Sequence, residues 1–162
     1  MARSTFFSFH YNQDCWRASQ IKNSWVTQDR KSAGFFNSVE WEEVKKKQDS
    51  EIEKWIDGQL VGTSVTVVLI GTNTAGRKWI DYEIKSSYRR GNGMLGIYVH
   101  NQKNSKGLTS TKGANPFDSW HVTKNGVQTY FSSLYKTYDW VNDNGYQNMG
   151  TWIEEAAKKA GK

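Results

Sequence analysis

Seven consecutive residues, Val65 to Gly71 (VTVVLIG), constrain this chain more than any other feature. The run is β-branched and apolar at successive positions, so neither face of the strand it forms can meet water. Such a strand belongs in the middle of a mainly parallel sheet with helices on both sides. The surrounding pattern agrees, with Thr5 to Tyr11 (TFFSFHY), Gly34 to Val39 (GFFNSV) and Met94 to His100 (MLGIYVH) as further short apolar runs between amphipathic stretches. Asn12 and Asp14 offer caps for a first helix whose partial apolar face holds Trp16, Ile21, Trp25 and Val26. From Asp49, the residues Ile52, Trp55, Ile56 and Leu60 recur at spacings of three and four and predict a second helix, ended by Gly62. Trp79 to Arg90 reads as a third, and Tyr138 to Ala160 as helical material interrupted at Gly145. Asn101 to Asn115 is polar and too long for an idle connector, hence a functional loop or a mobile one.

The alternation predicts an α/β fold, a flavodoxin-like doubly wound sheet with ligands outside the carboxyl ends of the strands. The 162 residues suit a single domain, 1–162, with no internal repeat or linker. Aromatic residues at 14% and a single proline exclude disorder despite a mean hydropathy of -0.78. A lone cysteine, Cys15, excludes an internal disulfide, and His10, His100 and His121 lie far apart, so no metal site is expected. These features, with no signal core and no run long enough to cross a bilayer, point to the cytoplasm and away from a membrane.

The net charge is +6, and seven bases against one acid between Lys85 and Lys124 hold the whole excess. Any attraction for anions is therefore local, and a solvated loop explains it equally well. Nucleic-acid binding through this segment would show steep salt dependence; it is not the expected partnership.

The carboxyl ends of the strands exclude several chemistries. A phosphate-receiving regulator needs carboxylates after the first strand and at the end of the third; His10-Tyr11 and Gly71-Thr72-Asn73 stand there instead. No glycine lies between Met1 and Ala33, so a GxGxxG phosphate loop is absent, as is a GxxxxGK[ST] loop. What remains is Trp79 and Glu83, an indole and a carboxylate at i and i+4 on one face of the third helix. When nicotinamide leaves the ribose of NAD, oxocarbenium character develops, and a carboxylate at the ribose stabilises it. Phe9, Tyr11 or Trp41 would stack on a base, and the basic segment would meet the pyrophosphate. The plain alternative is a glutamate early in a helix that favours the dipole, in a WxxxE match arising by chance.

FFSFHY at Phe6 to Tyr11, TSVTVVLIG at Thr63 to Gly71, RKWIDYEI at Arg77 to Ile84, GIYVH, KGANPFD at Lys112 to Asp118 and YDWVNDNGY at Tyr138 to Tyr146 follow in order. Together they resemble the TIR-like domain of the ThsB proteins of Thoeris, a bacterial anti-phage defence system. The resemblance implies a TIR fold and a protein that responds to a phage-derived trigger by converting NAD, its substrate, into a cyclic ADP-ribose-type nucleotide. That diffusible signal would activate a partner effector that depletes NAD, and TIR domains commonly complete their sites by self-association. The family's catalytic glutamate corresponds to Glu83 and its tryptophan to Trp79, which the resemblance places among the substrate-binding residues. No separate cofactor is implied. The loop at Phe36 to Val39 departs from the usual TIR pattern, which leaves Asn37 and Trp41 only weakly tied to substrate. His10 ends a strand at the expected cleft, where substrate contact, orientation and simple packing are all open. Phe9 serves equally as core, and Trp140 and Trp152 read as packing. The competing functional class is a scaffold or infection sensor without catalysis.

Overall fold

The computed structural model describes residues 4–26, 32–33 and 43–162. Among the described residues, five strands form one parallel sheet: β1 (Thr5–Ser8), β2 (Ser32–Ala33), β3 (Val65–Ile70), β4 (Gly93–Tyr98) and, later in the chain, β7 (Thr137–Asp139). Their order is β2-β1-β3-β4-β7, the flavodoxin-like arrangement, with the predicted β3 at its centre. Every residue of β3 is buried. The helices of the sheet layers are α1 (Tyr11–Val26), α2 (Asp49–Leu60), α3 (Lys78–Arg89) and α5 (Gly145–Lys159), with a one-turn α4 at Phe131–Leu134.

Strand alternation divides the core into two faces. Phe7, Val65, Val67, Leu69, Leu95 and Ile97 point toward α1 and α5, where they meet Ile21, Met149 and Ile153. Val68, Ile70 and Met94 point the other way, onto Ile80 and Ile84 of α3. On that same face Phe6 packs with Ile52, Ile56 and Leu60 of α2. The α2 boundaries match the periodicity of the sequence, because its three buried residues stand at spacings of four. The α3 helix runs one residue earlier than the sequence suggests.

Three expectations change. Trp16 is half exposed, because the inward stripe of α1 runs through Tyr11, Asp14, Ala18 and Ile21 and leaves position 16 on the far side. Tyr138 belongs to the fifth strand rather than to a helix, and Gly145 opens α5 instead of interrupting it. His121–Lys124 and Val127–Tyr130 form an unexpected antiparallel hairpin, β5 and β6, turning at Asn125 and Gly126, both with positive φ. The second-strand expectation at Gly34 to Val39 lies outside the described residues. No described helix is long and apolar enough to cross a membrane.

Candidate active site at the carboxyl ends of β1 and β3

In this strand order the chain reverses direction across the sheet between β1 and β3, and the crevice beyond their carboxyl ends is the expected ligand position. Ser8, the last residue of β1, shares the face of Phe6 and is directed toward α3. Glu83, in the second turn of α3, meets it. The residue as a whole is half-buried, but its carboxyl Oε2 is enclosed, and among the described residues neither Glu83 Oε2 nor Ser8 Oγ has a hydrogen-bond partner. Burial pushes the Glu83 carboxyl up to about 8, with the Ser8 hydroxyl beside it working against the shift. At neutral pH the group is therefore mostly protonated. The sequence reading takes Glu83 as a carboxylate; the structure instead gives a desolvated acid, and among the described residues no arginine or lysine neutralises it.

Trp79, one turn before Glu83, and its neighbours anchor the α3 helix that carries the acid. Trp79 packs beside the Phe6, Ile52 and Ile56 cluster and meets Tyr82 edge-on at 6.0 Å. The Tyr82 hydroxyl donates to Asp57 at 2.9 Å, and Lys78 pairs with Asp49, so α3 is tied to α2 at two points. Trp79 thus serves as a packing anchor on the shared helical face.

His10 follows β1 with a partly buried ring whose Nδ1 lacks a partner among the described residues. Burial first, and then the Arg77 guanidinium at the start of α3, lower its pKa, while the Gln13 side chain partly opposes them. The ring is held neutral. Gln13 also accepts a hydrogen bond from Asn73 Nδ2 at 3.0 Å, joining α1 to the loop after β3. Ser8, Gln13, Asn73 and Arg77 were not singled out from the sequence. Only Ser8 had a usable signal, its parity with Phe6 on a strand.

The structure does not bring Phe9 and Tyr11 to Glu83. Phe9 and Tyr11 are buried in the cluster on the α1 side of the sheet, 5.9 Å apart, with the sheet between them and Glu83. Asn37 and Trp41 lie outside the described residues. Trp152 is core, stacked on Tyr138 at 4.0 Å. Among the described residues no group of three or more His, Cys, Asp or Glu side chains is placed to hold a metal.

Behind this site the loop after β3 is built around Asp14. This buried carboxyl lies against Gly71, where any side chain would collide with it, and Thr74 Oγ1 stands at 3.5 Å. Burial raises Asp14 to about 6, with Arg17, whose Nη1 is 3.9 Å away, working against the shift. Arg17 also donates to the carbonyls of Gln102 at 2.6 Å and Leu108 at 3.0 Å. Thr72 Oγ1 donates to the Thr111 carbonyl at 2.6 Å, and Gly113 packs directly on the Gly71 carbonyl. The long segment 101–115 is therefore fastened to the carboxyl edge of the sheet, and of the two sequence alternatives the structure supports a built loop.

A parallel sheet of this order with helices on both faces is a flavodoxin-like α/β fold, the class to which TIR-like domains belong. The family model of the Thoeris protein ThsB, TIR-like domain, matches residues 6–104. A protein of Bacillus cereus (strain MSX-D12) bearing the name "Putative cyclic ADP-D-ribose synthase ThsB1" is 34% identical over 192 aligned positions, covering 94% of this chain and 100% of that protein. The chain belongs to the ThsB family of TIR-like Thoeris proteins.

Proposed function

We propose that this protein converts NAD into a cyclic ADP-ribose-type nucleotide as an anti-phage signal, with Glu83 as the catalytic carboxyl. The carrying observation is the enclosed Glu83 carboxyl at the β1–β3 switch point, unpaired and held near 8. The name of the Bacillus cereus relative supports the same reaction. A binding site that keeps an acid desolvated and without a partner gives up stability, and a substrate that brings hydrogen-bond donors repays it. The ribose hydroxyls of NAD are such donors. By hydrogen bonding to the carboxylate they favour its ionised form, so the negative charge develops where the sugar is bound.

In the reaction the bond between ribose C1′ and the nicotinamide nitrogen breaks, and its electron pair leaves with neutral nicotinamide. The sugar acquires oxocarbenium character, which the Glu83 carboxylate, little hydrated in its buried position, stabilises. A nucleophilic atom elsewhere in the same ADP-ribose closes on C1′ and releases a proton. No protein side chain forms a covalent bond. His10, neutral and next to Arg77, orients the substrate at the rim, and Trp79 fixes the helix that carries Glu83. NAD is a substrate and no separate cofactor takes part. The product diffuses to an effector that consumes NAD, and a phage-derived trigger or association of TIR domains switches synthesis on.

The test is incubation of concentrated protein with NAD, with and without infected-cell lysate or a crowding agent, followed by chromatography and mass analysis. Nicotinamide release with a cyclic nucleotide of matching mass is expected. Glu83→Gln abolishes both while the circular dichroism stays that of the wild type. Absence of nicotinamide release under every condition overturns the reading and favours a non-catalytic scaffold, to which the enclosed, neutral state of Glu83 would then belong.

A further inference from the structure

The end of the sheet opposite Glu83 carries a cavity of about 530 Å³, within the size range of small-molecule sites. Its floor is the start of β4 and its sides are the carboxyl ends of α3 and α5, the approach to β7, and Lys124 from the hairpin. Gly93 makes the floor possible, because a side chain there would strike the Ala156 carbonyl of α5. From this lining we infer a binding site for a small organic anion with one flat ring system and a phosphate or carboxylate.

Charge supplies the first argument. Arg89, Lys124, Lys136 and Lys159 surround the cavity, against Glu155 as its one acidic side chain. Lys159 is engaged, donating to the Leu134 carbonyl at 2.8 Å, but Arg89, Lys124 and Lys136 form no ion pair among the described residues. The carbonyl ends of α3 and α5 oppose an anion, each with roughly half a negative charge. Three formal positive charges, after subtraction of Glu155, exceed that sum, so the mouth stays electropositive.

The second argument is the wall. Tyr88 and Tyr135 line the cavity over an aromatic base in which Tyr88 stacks near Phe131 at 4.9 Å and Tyr135 near Phe117 at 5.4 Å. Neither phenol hydroxyl has a hydrogen-bond partner among the described residues. Burial and the neighbouring Tyr88 push Tyr135 up to about 12, so its hydroxyl remains a donor. Met94 and Leu134 complete an apolar surface for a ring. Aromatic and aliphatic walls, two free hydroxyl donors and a cationic rim match an aryl anion better than a neutral molecule or bare phosphate, for which the walls have no use.

The probe is 2-naphthyl phosphate, titrated into the full-length protein by fluorescence, with inorganic phosphate and 2-naphthol as its separate halves. Saturable binding is expected, weakened by salt and stronger than for either half. The exposed pair Lys124→Glu and Lys136→Glu, made together, should weaken binding by about tenfold or more with an unchanged melting temperature. Glu83→Gln should bind the probe as the wild type does, which separates this site from the proposed catalytic one. Equal affinity in the double variant, loss of binding in Glu83→Gln, or no saturation at all overturns the inference.

Discussion

At the scale of single residues, the loop after β3 depends on a glycine facing an acid. Asp14 occupies the space that a Gly71 side chain would need. Gly71→Ala should therefore destabilise the protein by about 1–3 kcal/mol, the usual penalty for overpacking a site that cannot relax. Removing the carboxyl with Asp14→Ala opens the space, so the double variant should lose less than the two single losses together, a coupling readable from urea unfolding. Additive losses would mean that the two positions do not share that volume. This pairing was not legible in the sequence. Asp14 reads there as a helix cap, and only the fold reveals that its side chain turns inward beneath β3. Glu83 was legible as a position, through its spacing from Trp79, but its protonation was not. Burial of a carboxyl depends on what β1 and α3 place around it, and Ser8 lies 75 residues away in sequence.

At the scale of elements, what could be read followed how many residues each pattern had to express itself. The six buried positions of β3 and the three buried positions of α2 repeat often enough to fix type and boundaries. β7 has three residues, Thr137 to Asp139, all half-buried, so no period could form and Tyr138 passed for helix. The hairpin is different, because Asn125-Gly126 between HVTK and VQTY is a strong turn signal that sequence reading overlooked. Gly126, at φ 79, tests it. Gly126→Ala should cost about 1 kcal/mol by forcing a side chain into the left-handed region. The loss should appear as faster amide exchange in β5 and β6, with exchange in β3 unchanged; uniform acceleration would instead tie the hairpin to the global fold. The segment 101–115 was legible as special by its length alone. Its fastening to Arg17 was not, because the two contacts span 85 and 91 residues.

At the scale of the whole molecule, the buried acids set how stability responds to pH. Glu83 is held from 4.5 up to about 8 and Asp14 from 3.8 up to about 6. In each case the unfolded chain gives up its proton first. Their contribution is complete below the unfolded values and is lost as pH rises through the folded ones. His10, with a lowered pKa, acts in the opposite sense around its ordinary 6.5, but its ring is only partly enclosed. Net stability should fall by on the order of 3–5 kcal/mol between roughly pH 5 and pH 9, mostly through Glu83. Glu83→Gln removes the ionisable group, so its melting temperature should decline less over this range and exceed that of the wild type at the alkaline end. Parallel curves for the two proteins would mean that Glu83 titrates as it does in water.

The order in which the sheet is covered has a further consequence during synthesis. The α1 helix is made early, but α5, which shields the same face of β3 and β4, consists of residues 145–159. Until those residues leave the ribosome, Val67, Leu95 and Ile97 have only half their roof. A nascent chain stalled before Gly145 would present a sticky slab to its surroundings, so a chaperone that grips oily patches should hold the stalled chain and release the finished one.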